Sequence, residues 1–143
     1  KHYGVSRKIH KSRLFKVKKY MKYYLNVLRN YASFSGRARR KEYWMFALFN
    51  MIFAIVAMIL DNVLGIAMEG IGYGPLYGLY ALAMLIPGLA VGVRRLHDVG
   101  KSGWMFLIVL IPLIGGIWLL VLFCTDSQLE NNKWGQNPKE ISA

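Results

Sequence analysis

Three long apolar runs constrain the fold of this 143-residue chain more than any other feature of its sequence. They cover about residues 43–60, 73–93 and 104–124, with short polar segments between them. An apolar helix of about 20 residues, rising about 1.5 Å per residue, crosses the hydrocarbon core of a bilayer. The sequence therefore predicts an all-α, polytopic membrane protein with three transmembrane helices.

The basic residues are concentrated before the first apolar run. Fourteen of the 19 Lys and Arg residues precede Glu42, and the formal net charge is +12. A basic segment beside an apolar remainder favours anionic lipid headgroups over nucleic acid as the partner. We therefore expect contacts with anionic membrane lipids and no binding of nucleic acid.

The charges of the two connections between the apolar runs predict the orientation of the chain in the membrane. The first connection contains Asp61 and Glu69 but no Lys or Arg, whereas the second carries Arg94, Arg95 and Lys101. Under the positive-inside rule, the N-terminus and the second connection lie in the cytoplasm and the first connection lies outside.

The third apolar run leaves the position of the C-terminal tail open. Three complete spans, the preferred interpretation, would place the tail outside. Pro112 and Gly115–Gly116 can break a helix, however, and a re-entrant segment would return the tail to the cytoplasm.

The chain is divided into a leader, one membrane domain and a short tail. Residues 1–20 are interpreted as a basic leader that is upstream or added sequence, with the native start expected at Met21. Residues 21–139 are expected to form a single membrane domain, which includes most of the C-terminal tail (Thr125–Ala143), and residues 140–143 are the part of the tail beyond it. Residues 22–34 alternate apolar and basic side chains at helical spacing, which predicts a basic amphipathic N-terminal helix at the membrane interface.

Charged and aromatic side chains at the ends of the apolar runs are candidates for lipid-headgroup or interfacial contacts. A headgroup-binding patch, an ion pair between Glu42 and an arginine, and plain anchoring are alternative roles for them. The candidates are Arg37, Arg40, Glu42, Trp44, Arg94, Arg95, His97, Asp98, Lys101 and Trp104.

Small and polar residues within the apolar runs are candidates for helix packing. Glycines at four-residue spacing allow helix backbones to approach closely in lipid, and a lone amide usually faces another helix. The candidates are Asn50, Gly74, Gly78, Gly88 and Gly92.

The sequence gives little indication of catalysis, a cofactor or a metal. No ionisable residue lies deep within an apolar run, and no His or Cys cluster accompanies His97 and Asp98. Gly100-Lys101-Ser102 resembles the end of a phosphate-binding loop, but Arg95 stands where that motif needs its first glycine. We therefore expect no catalytic residue, no cofactor, no metal and no enzymatic activity.

Three separated motifs resemble a known family. They are Phe34–Trp44, Arg94–Trp104 and Asn132–Pro138, and they resemble the YhaH/YhaI-like family of small bacterial inner-membrane proteins, classed as domain of unknown function 805. The resemblance covers about residues 21–139. It departs at Met105, where a second Trp is common in the family, and at Gln136, where Pro is common.

The resemblance implies a multi-pass protein of the bacterial inner membrane and carries over no catalytic residue. We therefore expect a non-enzymatic structural or accessory protein that acts through helix–helix and anionic-lipid contacts. Its partners would be lipids, further copies of itself or a larger membrane complex. The alternative is a subunit of an oligomeric channel or small-solute transporter.

Overall fold

A computed structural model describes residues 2–141 of the chain, with side chains from residue 14 onward. Five helices are found in this part: α1 (His2–Arg29), α2 (Arg40–Val63), α3 (Pro75–Asp98), a 3₁₀ helix (Gly103–Leu110) and α4 (Ile114–Cys124). The described residues form no strand that pairs into a sheet, so the prediction of an all-α fold is confirmed. Two of the helices, α2 and α3, are long and apolar enough to cross a membrane.

The basic helix α1 packs against the α2–α3 pair through a few apolar side chains. Tyr24 and Val27 are buried and belong to the same core cluster as Phe46 of α2 and Val91 of α3. The Tyr24 and Phe46 rings stack with their centroids 5.5 Å apart. The helix ends at Arg29, earlier than the sequence predicts, and the chain then turns toward α2.

Asp61 fixes the turn between α2 and α3. Its carboxylate is fully buried and accepts hydrogen bonds from the backbone N–H groups of Gly74, Leu76 and Tyr77 at 2.9–3.1 Å. These N–H groups lie at the start of α3, where a helix has unsatisfied donors and favours a negative charge. A Cβ at Gly74 would lie 2.5 Å from the Asp61 Cγ, so the close approach requires glycine.

The third apolar run does not form one continuous helix. The 3₁₀ helix ends at Leu110, and α4 begins at Ile114 after Leu113 adopts a left-handed backbone conformation (φ +64°). Eight residues of 3₁₀ helix and 11 of α-helix are each roughly 16 Å long, about half the hydrocarbon thickness. The prediction of three spans is therefore not confirmed.

The two halves of this run form a helical hairpin that returns to its starting point. Gly115 lies directly against the backbone of Ile108, where there is no room for a Cβ. At its start, Gly103 lies beside Val93 and His97 of α3. At its end, Cys124 accepts a hydrogen bond from Arg40, the first residue of α2. Both ends thus lie where α2 begins and α3 ends.

Candidate functional site

Three segments that are distant in the sequence meet where α2 begins and α3 ends. We call this region, formed by residues 34–44, 94–104 and 124–138, the motif end. Backbone hydrogen bonds join its parts: the Ala38 N–H donates to the Arg94 carbonyl at 3.0 Å, and the Gln128 N–H donates to the Asp98 carbonyl at 2.9 Å. The motifs of the sequence analysis therefore form one structural unit.

Asp98 is the centre of this unit. The residue is fully buried, and its Oδ1 accepts a hydrogen bond from Arg37 Nε at 3.1 Å. Its Oδ2 accepts from Arg95 and from the Ser127 hydroxyl, the latter at 2.6 Å. Each segment of the motif end thus supplies at least one group, and both carboxylate oxygens are occupied.

The Arg37 guanidinium also holds the C-terminal segment. Nη1 donates to the carbonyls of Glu130 (2.9 Å) and Gly135 (3.3 Å), and Nη2 donates to those of Gln128 (2.6 Å) and Asp98 (3.3 Å). The planar fork of five N–H donors suits such a set of acceptors, and a lysine could not reproduce it. Arg37 is therefore the main link between the turn before α2 and the tail.

Two further arginines bind the end of α4. Arg95 donates to the carbonyls of Phe123 and Thr125, and Arg40 Nη1 donates to the Cys124 carbonyl at 3.1 Å. The last carbonyls of a helix lack intrahelical partners and carry a partial negative charge. The two guanidinium groups satisfy these carbonyls and fasten the end of the hairpin to α2 and α3.

A second buried ion pair joins α2 to α3. Arg94 Nη1 lies 3.4 Å from Glu42 Oε1, which also accepts a hydrogen bond from Asn26 of α1 at 3.1 Å. The Nε and Nη2 atoms of Arg94 are buried without a hydrogen-bond partner among the described residues. The pair therefore connects three helices, although the guanidinium is only partly satisfied.

His97 connects the end of α3 to the tail. Its Nδ1 lies 3.1 Å from the Gly36 carbonyl, and its ring stacks on Trp134 with centroids 4.5 Å apart. Asn132 Nδ2 donates to the His97 carbonyl at 2.9 Å. The site prediction omitted Trp134, Asn132 and Ser127. The tail motif Asn132–Pro138 was the available signal for the first two, whereas nothing in the sequence singled out Ser127.

The structure divides the candidate interfacial residues into two groups. The side chains of Arg37, Arg94 and Arg95 are at most 7% exposed and are engaged within the chain. These guanidinium groups lie inside the protein and pair with Asp98 or Glu42, and a role in headgroup binding stays a prediction. Trp44 is half-buried and donates from Nε1 to the Phe123 carbonyl at 3.3 Å. Among the candidates, Arg40, Lys101 and Trp104 are exposed.

The helix-packing candidates also have different environments. Asn50 Oδ1 accepts a hydrogen bond from the Tyr80 hydroxyl at 2.9 Å, which joins α2 to α3. A Cβ at Gly92 would lie 2.5 Å from the Phe106 ring. Gly88 lies near Phe46, and only Gly78 among the candidate glycines has open space around its Cβ position.

The described residues offer no grouping suited to holding a metal ion. Within that part of the chain, no group of three or more His, Cys, Asp or Glu side chains is suitably placed. The charged side chains of the motif end bind one another and the backbone. The arrangement can therefore hold the three segments of the motif end together. Its central carboxylate, that of Asp98, is fully occupied by hydrogen bonds within the chain.

Comparison with known proteins gives consistent matches. The family described as "Protein of unknown function (DUF805)" matches residues 31–136, which include most of the motif end. Inner membrane protein YhaI of Escherichia coli K12 is 44% identical over 119 residues, covering 83% of this chain and 97% of the relative. Inner membrane protein YhaH of the same organism is 46% identical over 119 residues, covering 83% and 98%. No solved structure matches the chain.

Proposed function

The chain belongs to the DUF805 family, whose matched relatives are inner membrane proteins, and from this premise we propose that it is a non-enzymatic accessory protein of the bacterial inner membrane. It acts through contacts of its helices with anionic lipids and with other membrane helices. Its charged motifs hold the helices in the arrangement that leaves them free to make these contacts.

The observation that carries the proposal is the occupied carboxylate of Asp98. A general acid or base must reach the proton that it transfers within hydrogen-bond distance. Asp98 is fully buried, and Arg37, Arg95 and Ser127 occupy both of its oxygens. The residue therefore supports a structural role for the motif end.

We propose a topology with two spans, α2 and α3, and a re-entrant hairpin. The hairpin starts and ends at the motif end, as the bond from Arg40 to Cys124 supports. The basic helix α1 packs at this end, and Arg40 and Lys101 are exposed there. The positive-inside rule then places the motif end, the N-terminus and the C-terminal tail in the cytoplasm.

The exposed basic residues of α1 support the proposed contact with anionic lipids. Lys22 and Arg29, which follow the expected native start at Met21, are both exposed. Each basic residue near an anionic membrane surface contributes about 1 kcal/mol to the attraction. With the motif end in the cytoplasm, α1 would lie at the inner leaflet.

Association with other helices is the part of the proposal that mutation tests most directly. Gly74 is unsuitable for the test because a larger residue there would displace Asp61 and disturb the fold. Gly78 has open space on the surface of α3. Gly78→Ile should weaken self-association or association with partners, because it prevents close approach of a second backbone. Chemical crosslinking in native membranes, followed by sizing in mild detergent, measures the effect.

Gly116→Ile is the matched control for this experiment. Gly116 also has open space around its Cβ position, but it lies on α4. The proposal predicts reduced association for the Gly78 variant alone. Equal association of both variants and the unmodified chain would count against helix contacts through α3.

The alternative of a channel or transporter subunit has less support. It would require water to reach the polar side chain of Asn50 in α2 or the helix at Pro87 in α3. Asn50 Oδ1 is occupied by the Tyr80 hydroxyl, and Pro87 inside α3 is fully buried. We therefore favour the accessory role.

A further inference from the structure

A groove of about 590 Å³ lies between α3 and the 3₁₀ helix, and the network around Asp98 does not use it. Leu89, Val93 and His97 line one wall, at positions four residues apart on a single face of α3. Trp104 and Leu107 line the other wall and are 80% and 54% exposed. Most of the lining is apolar, and the outer wall faces away from the protein.

The groove has a polar head at the motif end. His97 and Ser102 line it there, together with Trp134. His97 Nδ1 donates to the Gly36 carbonyl, so Nε2 of the neutral ring is an acceptor, and it lies 3.5 Å from the Cβ position of Gly103. No partner for this Nε2 is found in the described part of the chain.

A cation stands beside this head. The Lys133 ammonium lies 4.4 Å from the centroid of the Trp134 ring, and that ring stacks on His97. An anion at the head of the groove could accept a hydrogen bond from the Ser102 hydroxyl and be balanced by Lys133. The head therefore complements a negatively charged group.

The length and depth of the groove indicate what kind of molecule could carry the negatively charged group. From His97 to Leu89 the wall descends about 12 Å along α3, toward the centre of the proposed span. Trp104 at the rim is a residue that favours the boundary between headgroups and hydrocarbon. The groove thus joins an anion-binding head at the interface to an apolar channel within the hydrocarbon.

We propose that this groove binds one anionic phospholipid of the inner membrane. An acyl chain lies along Leu89, Val93 and Leu107, and the phosphate lies at Ser102 and Lys133. The inference rests on the proposed placement of the motif end at a membrane surface. It assigns a specific lipid site beyond the general attraction of the basic helix.

Native mass spectrometry of the detergent-solubilised full chain tests the site, with phosphatidylglycerol and phosphatidylcholine as the added lipids. The unmodified chain should retain phosphatidylglycerol in preference to phosphatidylcholine. Lys133→Gln should lower the retained phosphatidylglycerol about fivefold, since one cation near an anionic headgroup contributes about 1 kcal/mol. Trp104→Ala, which removes the outer wall, should lower the retention of both lipids.

Matched controls separate the groove from general surface effects. Lys139→Gln removes an exposed cation that pairs with Asp126, and Trp118→Ala removes a half-exposed tryptophan on α4. Neither residue lines the groove, and Lys139 pairs with Asp126, whereas Lys133 lies over the lining residue Trp134, so neither control change should alter lipid retention. Leu107→Trp is a second groove variant, which fills the channel and should reduce retention without removing a structural contact.

The same spectra distinguish the outcomes. Equal retention by the unmodified chain and all three groove variants would overturn the proposal, as would equal losses in the control variants. A complex of two chains that excludes the lipid would show that a second copy occupies the groove. Lipid adducts report on this site, whereas the Gly78 experiment reports on chain association. Either inference can therefore fail without the other.

Discussion

Asp98 is bound by two arginines and a serine, so its charge is balanced only when all three segments of the motif end are assembled. Removal of one partner from a buried ion pair is costly because the remaining charge is left uncompensated. Asp98→Asn preserves the shape of the side chain but leaves Arg37 and Arg95 without a counter-ion. We expect a loss of about 3–5 kcal/mol in unfolding free energy, measured by thermal or denaturant unfolding in detergent.

Asp126→Asn is the matched control for this prediction. Asp126 pairs with Lys139 at 2.7 Å, but the two side chains are 61% and 42% exposed, and such pairs contribute at most about 1 kcal/mol. The hydrogen bond from Lys139 lowers the pKa of Asp126, so the small contribution is present at neutral pH and is lost as the pH falls through the lowered value. Equal losses in the two variants would contradict the central role of Asp98.

The sequence indicated which charged residues mark the motif end and offered an ion pair between Glu42 and an arginine, which is found with Arg94, but it could not show how Asp98 pairs. Arg37 and Asp98 are 61 positions apart, and no local spacing rule connects them. Arginines at the ends of apolar runs are typical of interfacial anchoring, so the sequence allowed headgroup contacts and plain anchoring as well as an ion pair with Glu42. Burial of Arg37 depends on carbonyl acceptors of the tail, and burial of Arg95 depends on carbonyls at the end of α4, whereas Arg94 is buried against Glu42. The first two depend on the path of the hairpin.

At the scale of elements, the hairpin of the 3₁₀ helix and α4 depends on a close backbone contact. A Cβ at Gly115 would overlap the Ile108 carbonyl, so Gly115→Ala should separate the two helices. Overpacking of this kind costs about 1–3 kcal/mol. Unfolding in detergent should show the loss, and proteolysis at the start of the tail should become faster.

Gly116→Ala provides the comparison on the next residue. Its Cβ position is open, and alanine favours a helix over glycine by about 1 kcal/mol, so this variant should be unchanged or slightly more stable. A Gly115 variant as stable as the Gly116 variant would show that the hairpin is not closed by this contact.

The sequence predicted the two continuous spans because their apolar runs are long and contain no breaker that the helix cannot accommodate. For the third run it favoured a span, with a hairpin as the alternative, because both have the same apolar composition. Pro112 and Gly115–Gly116 were the available signals for the hairpin. The left-handed backbone at Leu113 was not predictable, because a branched residue rarely adopts it.

At the scale of the whole molecule, the path of the hairpin decides where the three motifs lie. If the third run returns, all three meet at one face, as the contacts of Arg37 with the tail require. If it crossed, the tail would lie on the opposite side of the membrane from Arg37, and neither the Asp98 network nor the proposed lipid site could exist.

The side of the membrane that holds the C-terminus therefore decides whether the three motifs can meet. Paired fusions after Ala143, one to a reporter active only in the cytoplasm and one to a reporter active only in the periplasm, measure it in intact cells. Because the hairpin returns the tail to the motif end, we expect activity of the cytoplasmic reporter alone. Activity of the periplasmic reporter alone would establish a third span and contradict the assembled motif end.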